Sequence, residues 1–148
     1  MRLLFFKAVT RMGNWQMITV FVAFFTYYFW KNHNTLFFLL LAVGGSTLLA
    51  NIIKIIVKKP RRPDALLQER TYAFPSGHAA TSTAFYGFLA LHVLKGPIHT
   101  NSIIQIAILA SLIIAISYSR IYLRVHDWAD VKVGFIIGLL FLLPYATA

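Results

Sequence analysis

The chain contains no cysteine and very few acidic residues, and each shortage limits what it can be. Without cysteine, disulfides and thiolate metal sites are excluded. Only four acids, Asp64, Glu69, Asp127 and Asp130, stand against fourteen Lys and Arg, which gives a formal charge of +10. Such an excess indicates an anionic partner: nucleic acid, anionic lipid headgroups or a phosphorylated substrate.

Charge of either sign is scarce, because 12% of the residues are charged and 59% are hydrophobic. A soluble domain has about 25% charged and about 45–50% apolar residues. Little soluble surface remains to present a groove-binding element, so nucleic acid is not expected as a partner. The composition predicts an integral membrane protein whose partners are anionic membrane lipids and a phosphorylated substrate.

Five apolar stretches are long enough, or nearly so, to cross a bilayer, which takes about 20 residues. They cover residues 15–30, 35–57, 79–94, 102–118 and 131–145. Segment 1–13 is too interrupted by Lys7 and Arg11 for a cleaved signal peptide, and it predicts a basic amphipathic helix at the membrane interface. No internal repeat is evident, so we expect one domain over 1–148, with an all-α transmembrane bundle over 14–148.

Two runs of polar residues flank these apolar stretches. The first run is Pro75-Ser76-Gly77-His78, and the second extends over 119–130. Five crossings place both runs and the N-terminus on one face of the membrane. Ionisable side chains at the ends of membrane helices are energetically expensive, so this clustering predicts a functional site. The positive-inside rule favours a cytoplasmic site, but arginines that bind phosphate would weaken that rule, and the sequence leaves the side open.

The second run contains His126 and Asp130, four residues apart. On a helix this spacing places both side chains on one face. A carboxylate bound to one imidazole nitrogen fixes the tautomer and leaves the other nitrogen as a nucleophile or base. A structural pair that closes a loop onto a helix is an equally good interpretation of this pair taken alone.

The first run opens the third apolar stretch. The free N–H groups at a helix start form an anion site, and Gly77 has no side chain to obstruct a ligand. His78 would then lie beside a bound phosphate, where it could protonate a leaving alkoxide. The alternative interpretation is a helix cap by Ser76 together with a buried histidine.

Several cations could surround a phosphate at this face. A phosphoryl transition state spreads charge over three oxygens, which fixed cations stabilise. We assign this role to Lys54, Arg61, Arg62 and Arg120. Other basic residues are interpreted as lipid-headgroup contacts or solvated charges, namely Lys58, Lys59, Arg70 and Arg124.

Taken together, these residues resemble the type 2 phosphatidic acid phosphatase superfamily of membrane lipid phosphatases. Its motifs are K-x6-R-P, P-S-G-H and S-R-x5-H-x3-D, and the chain matches the second and third fully. The first matches in part, because Lys54 and Arg61 have the right spacing but Arg62 stands where proline is expected. We favour Arg61 for the family role, while Arg62 stays an alternative.

The resemblance implies a helical bundle and a reaction that needs neither metal nor cofactor. It implies that His126 is the nucleophile that forms a phosphohistidine, that Asp130 orients it, and that His78 protonates the leaving group. The phosphate would be held by Lys54, Arg61, Ser76, Gly77 and Arg120. Members usually have six spans, so the first is expected to be missing here or reduced to the basic N-terminal helix.

The expected substrate is a lipid phosphate or diphosphate in the bacterial cytoplasmic membrane. Candidates are undecaprenyl diphosphate, phosphatidylglycerophosphate, phosphatidate and a lipid A phosphate. Alternatives are a lipid phosphotransferase on the same scaffold, a zinc hydrolase with His78, His126 and Asp130 as ligands, and a non-enzymatic membrane subunit. The choice of lipid and the oligomeric state cannot be read from the sequence.

Overall fold

The computed structural model describes all 148 residues and consists of six α-helices joined by loops. The helices are α1 (Arg2–Arg11), α2 (Trp15–Tyr28), α3 (His33–Val57), α4 (Gly77–Lys95), α5 (Thr100–Tyr122) and α6 (Trp128–Thr147). Each of the five apolar stretches is a helix, and the basic N-terminal segment is a sixth. The all-α prediction is therefore confirmed.

Three of the helices, α3, α5 and α6, are long and apolar enough to cross a membrane. The 14 residues of α2 are fewer than a crossing needs, since they extend only about 21 Å against a hydrocarbon core of about 30 Å. Helix α4 has a polar first half that is buried against other helices, so it needs little lipid-facing apolar surface. The chain is an integral membrane helical bundle, and the count of five crossings stays a prediction.

Helix α4 lies at the centre of the bundle and packs most extensively on α6, α5 and α3. Two glycines on α6 allow the closest approach. A Cβ on Gly138 would stand 2.5 Å from Thr83 Cβ, and one on Gly134 would overlap the carbonyl oxygen of Ser76. Any larger residue would push the two helices apart, so these two glycines, four residues apart on α6, allow the close packing.

The N-terminal segment lies at the end of the bundle where α4 and α6 begin. Helix α1 packs along the last turns of α5, and the rings of Phe6 and Tyr122 have centroids 4.0 Å apart. The turn after α1 is tied to α4, because Tyr86 donates a hydrogen bond to the carbonyl of Met12 at 3.0 Å. Helix α2 follows this turn and packs only lightly on α3 and α4.

The loop 58–76 covers the same end of the bundle. Helix α3 ends at Lys58, whose backbone is left-handed with φ 49°. The loop is then held by two backbone hydrogen bonds, from Ala73 to the carbonyl of Lys59 and from Leu66 to the carbonyl of Leu123, both 2.9 Å long. The N-terminus, this loop and the second run therefore meet at one end, as predicted.

Candidate active site

His126 and Asp130 are in contact, but not because they share a helix face. Helix α6 begins at Trp128, so His126 lies in the preceding loop. The backbone N–H of Asp127 donates to Asp130 Oδ2 at 3.0 Å, and this turn brings His126 Nδ1 to 3.4 Å from the same oxygen. The i, i+4 prediction was right about the contact and wrong about the geometry that produces it.

The surroundings of His126 favour a neutral ring with its lone pair on Nε2. Arg61 Nη1 lies 3.4 Å from Nε2, and since a guanidinium can only donate, the ring proton belongs on Nδ1, facing Asp130. Burial lowers the pKa of His126 to about 4; contact with Asp130 opposes the shift, and the charges of Arg120 and Arg61 add to it. A neutral imidazole with an exposed lone pair is the form that a nucleophile requires.

His78 lies in the first turn of α4, two residues after the N-cap Ser76. Ser76 Oγ accepts from the backbone N–H of Ala79 at 3.4 Å, as the capping interpretation expected. The backbone N–H of Ser76 donates to the carbonyl of Asp130 at 2.9 Å, which joins the starts of α4 and α6. His78 Nε2 lies 2.6 Å from Asn14 Oδ1, a partner that the sequence did not predict.

Lys54 is buried and joins α3 to the start of α4. Its ammonium donates to the carbonyls of Tyr72 and Pro75 at 2.8 and 2.6 Å. A Cβ on Gly77 would meet only Lys54 Cε, at 3.8 Å. The lysine therefore stands directly beside the helix start that was predicted to bind an anion.

Arg61 and Arg62 point to different places. Arg61 donates to the carbonyls of Thr71 and Val125 at 2.6 and 3.1 Å, which hold its guanidinium next to His126. Arg62 pairs instead with Asp64, at 2.9 Å between Nε and Oδ1, and its side chain is about half exposed. The geometry therefore brings Arg61 to the candidate site and leaves Arg62 outside it.

Arg120 is fully buried and is held by Thr10 and Glu69. Nη1 donates to Thr10 Oγ1 at 2.8 Å, and Nη2 donates to Glu69 Oε1. The other Glu69 oxygen lies 3.6 Å from Arg61 Nη2. Burial alone would raise the pKa of Glu69, but Arg120 and Arg61 hold it below its usual value. A carboxylate thus occupies the position between two guanidiniums, where an oxyanion fits.

Its place in a basic run had indicated that Lys59 is a solvated charge or a headgroup contact. The structure contradicts this interpretation. The ammonium of Lys59 lies 2.6 Å from Asp130 Oδ1 and 3.0 Å from Asp127 Oδ2. Burial would lower the pKa of Lys59, but the hydrogen bonds to the two carboxylates raise it above its usual value. Lys59 therefore neutralises the acid that faces His126.

A cavity of about 420 Å³ opens between these groups. Its polar side is formed by Lys54, Arg61, Glu69, Gly77, His78 and His126. Its other side is formed by residues of α2 and α3, including Ile18 and Val43. Ser76, Arg120 and Asp130 stand behind this lining, each no more than 1% exposed.

The side chains that the zinc alternative would use do not form a metal site. No group of three or more His, Asp or Glu side chains is arranged so that it could hold a metal ion. What the arrangement offers is a neutral imidazole, a second imidazole and several fixed cations around one cavity. Such a combination suits the binding of a phosphate and the transfer of its phosphoryl group.

The protein is a membrane helical bundle with a cavity at one end that histidines and arginines line. A comparison with known protein families agrees with this description. The sequence profile of the PAP2 superfamily matches residues 35–148. The chain belongs to this superfamily, which is the family that the three motifs resemble.

Two curated relatives share parts of the sequence. Phosphatidylglycerophosphatase B of Bacillus subtilis is 34% identical over 101 residues, which cover 66% of this chain and 49% of that protein. Lipid phosphate phosphatase delta of Arabidopsis thaliana is 29% identical over 140 residues, which cover 84% of this chain and 34% of that protein. The chain thus spans about half the length of one relative and about a third of the other.

Two solved structures share the fold. The crystal structure of the transmembrane PAP2-type phosphatidylglycerolphosphate phosphatase from Bacillus subtilis has a TM-score of 0.84 at 24% identity, and covers 96% of this chain and 73% of that one. The crystal structure of Aquifex aeolicus LpxE has a TM-score of 0.76 at 24% identity, and covers 99% and 86%. The helical arrangement is therefore that of known PAP2 membrane proteins.

Proposed function

We propose that this protein hydrolyses a phosphate ester or diphosphate of a membrane lipid through a phosphohistidine on His126, without a metal or cofactor. The observation that carries the proposal is the setting of His126, buried and neutral, between Asp130 at 3.4 Å and Arg61 at 3.4 Å. The names of the relatives, two of which are phosphatases of lipid phosphates, support the same reaction class.

The phosphate would occupy the place that Glu69 now takes between Arg61 and Arg120. A phosphate carries more negative charge than a carboxylate and presents more acceptor oxygens, so it competes well for the two guanidiniums. The ammonium of Lys54 and the backbone N–H groups of Gly77 and His78, which follow Ser76, would bind the remaining oxygens of the phosphate. Glu69 then leaves the site as the substrate arrives.

The reaction then proceeds in two steps. His126 Nε2 forms a bond to phosphorus while the bond from phosphorus to the leaving oxygen breaks, and that oxygen takes a proton from protonated His78. The leaving oxygen is the lipid oxygen of a phosphate ester or the bridging oxygen of a diphosphate. Water next attacks the phosphohistidine and gives a proton back to His78, which releases inorganic phosphate and restores His126. Asp130, supported by Lys59, stabilises the charge on His126 throughout.

Three apolar residues in the wall of the cavity, Trp15, Ile18 and Val43, support a lipid as the carrier of the phosphate. Ile18 and Val43 line the cavity beside the charged groups, between the lightly packed α2 and α3. A phosphate bound at Arg61 would place its lipid chain against these residues. Phosphatidylglycerophosphate and undecaprenyl diphosphate are the candidates that we test first, in a bacterial cytoplasmic membrane; a lipid A phosphate and phosphatidate complete the panel.

The test is phosphate release by the purified protein in detergent across this panel, in the presence of a strong chelator. Rapid quenching with a substrate labelled in its phosphate should trap an acid-labile, base-stable phosphoenzyme. His126→Ala should fold in detergent yet form no phosphoenzyme, and vanadate should inhibit the native protein. Activity that disappears with chelator and returns with zinc would support the zinc hydrolase instead, and near-normal turnover by His126→Ala would contradict the mechanism.

A further inference from the structure

Asn14 occupies the N-cap position of α2, but its side chain does not cap the helix. Asparagine is common at this position because its side-chain oxygen accepts a backbone N–H of the first turn. Asn32 does this for α3, accepting from the N–H of Thr35 at 3.1 Å. The oxygen of Asn14 instead lies 2.6 Å from His78 Nε2. Helix capping therefore does not explain Asn14.

The backbone around Asn14 is fixed against α4, so the contact does not depend on a flexible terminus. A Cβ on Gly13 would stand 3.3 Å from His78 Cδ2, which shows how closely this turn approaches the ring. The hydrogen bond from Tyr86 to the carbonyl of Met12, 3.0 Å long, holds the turn from its other side. The turn thus presents the Asn14 amide to His78 from a defined position.

The charges around the site leave His78 in need of an acceptor. Arg61, Arg120 and Lys54 converge on the same end of the bundle, and positive charge disfavours a protonated imidazole. An amide oxygen accepts a hydrogen bond but cannot donate one, so the contact with Asn14 requires a proton on Nε2. A protonated imidazole donates a stronger hydrogen bond than a neutral one, so this acceptor favours the protonated ring without adding a negative charge that would repel a phosphate.

We propose that Asn14 is a positioning residue for His78 as the general acid. Its amide oxygen holds the ring in one orientation and stabilises the form that carries protons on both nitrogens. The proton on Nδ1 passes to the leaving lipid oxygen as its bond to phosphorus breaks, and the neutral ring keeps the Nε2 proton that it donates to Asn14. The inference rests on the proposed function, and it places a catalytic requirement outside residues 35–148, the part that matches the superfamily.

The test compares two leaving groups. The leaving group of a lipid phosphate ester is an alkoxide, which needs a proton. The leaving group of p-nitrophenyl phosphate is a stable phenolate, which does not. Asn14→Ala should lower the first-turnover rate on the lipid phosphate about tenfold, with KM little changed, and should leave the burst of p-nitrophenolate within about twofold. A structural defect would lower both rates together.

A second variant keeps the acceptor. Asn14→Asp presents a carboxylate oxygen to Nε2, so it should recover kcat on the lipid phosphate, with a higher KM because the added charge repels the phosphate. It should also shift the alkaline arm of the pH profile, along which His78 loses its proton, to higher pH. The matched control is Asn32→Ala, which removes a true helix cap from α3 and should leave both rates unchanged.

The outcomes separate this inference from the proposed function. If His78→Ala loses turnover of the lipid phosphate and Asn14→Ala adds no further loss in that background, the two residues act as one unit and the inference is supported. Equal losses on both substrates, or no loss in Asn14→Ala while His78→Ala is impaired, would overturn the inference alone. Unimpaired lipid phosphate turnover in His78→Ala would overturn the general-acid role itself.

Discussion

Helix α4 carries one histidine near each of its ends, and the two have similar partners but different surroundings. His78 contacts Asn14 at 2.6 Å, and His92 contacts the hydroxyl of Tyr145 at 2.7 Å. Each is therefore a partly buried imidazole with one uncharged partner. His78, however, shares a cavity with His126 and several cations, whereas His92 packs in an edge-to-face contact with the ring of Phe29, with centroids 4.8 Å apart.

The end of the bundle around His92 is built from aromatic rings. Phe88 and Tyr145 have centroids 4.5 Å apart, and the Lys95 ammonium lies 5.0 Å from the centre of the Tyr145 ring. Such contacts stabilise a fold. They include one ammonium, that of Lys95, and not the cluster of cations that surrounds His78. A buried, hydrogen-bonded histidine is thus not by itself a site. The presence of a second imidazole and fixed cations makes the difference.

The most direct test of the difference between the two ends of the bundle replaces each histidine of α4 in turn. His78→Ala should lower turnover of a lipid phosphate by about a thousandfold, since general acid catalysis contributes roughly 10²–10⁴-fold. His92→Phe keeps the ring contacts and should change turnover by less than about twofold. Steady-state kinetics in detergent measures both. A loss of similar size in both variants would show that the two ends are not functionally distinct.

Arg61 and Arg62 allow a second comparison, within the end of the bundle that carries the site. Arg61→Ala should lower kcat/KM about a hundredfold, because one charge-bearing donor at the transferred phosphoryl group is lost. Arg62→Ala removes only exposed pairs with Asp64 and Asp127 and should cost less than about threefold. The reverse ranking would transfer the first-motif role to Arg62.

The neighbouring lysines give a smaller expected difference. Lys59→Met leaves Asp130 without its closest cation, so kcat should fall about tenfold while KM changes little. The matched control is Lys58→Met, the same substitution at the neighbouring lysine, which pairs with no acid. This variant should behave like the native protein. Equal kinetics for the two variants would show that the pair between Lys59 and Asp130 has no role in turnover.

The smallest expected change is the response of His126 to mild acid. Its pKa of about 4 leaves the ring neutral at pH 5.5, with only about 3% protonated, whereas an unperturbed histidine would be mostly charged there. Nitrogen NMR of labelled histidine, assigned with His126→Ala, should show no titration of His126 between pH 7 and pH 5.5. A midpoint near 6.5 would mean that burial and the arginines do not act as the geometry implies.

Motif spacing predicted which residues meet, and it did so well for the two runs. The pairing of His126 with Asp130, and the position of His78 at a helix start, followed from local sequence. The spacing could not show that a turn before α6, rather than a helix face, forms the pair. The stretch 79–94 was predicted from its apolar residues, and it forms most of α4. This helix is nevertheless not one of the three that are long and apolar enough to cross a membrane, because its first half is polar and is buried against other helices.

The residues that the sequence did not predict as part of the site are those whose partners are remote along the chain. Lys59 pairs with an acid 71 positions away, and within a basic run it looked like a headgroup contact. Asn14 occupies the N-cap position of α2, but the partner of its side chain is 64 positions away. Glu69 was visible only as one of four acids in the chain. In each case the three-dimensional pairing, not the residue type, reveals the contact.

The backbone hydrogen bond from Ser76 to Asp130, 2.9 Å long, has a consequence for how the loops can vary. It joins the first turn of α4 to the first turn of α6, and the glycines of α6 keep the two helices close behind it. The spacing between His78 and His126 is thereby set by the joined starts of α4 and α6, because His126 lies in the turn directly before α6. Substitutions in the part of loop 58–76 that contacts neither the site nor Lys54 should therefore leave the two histidines in the same relative position.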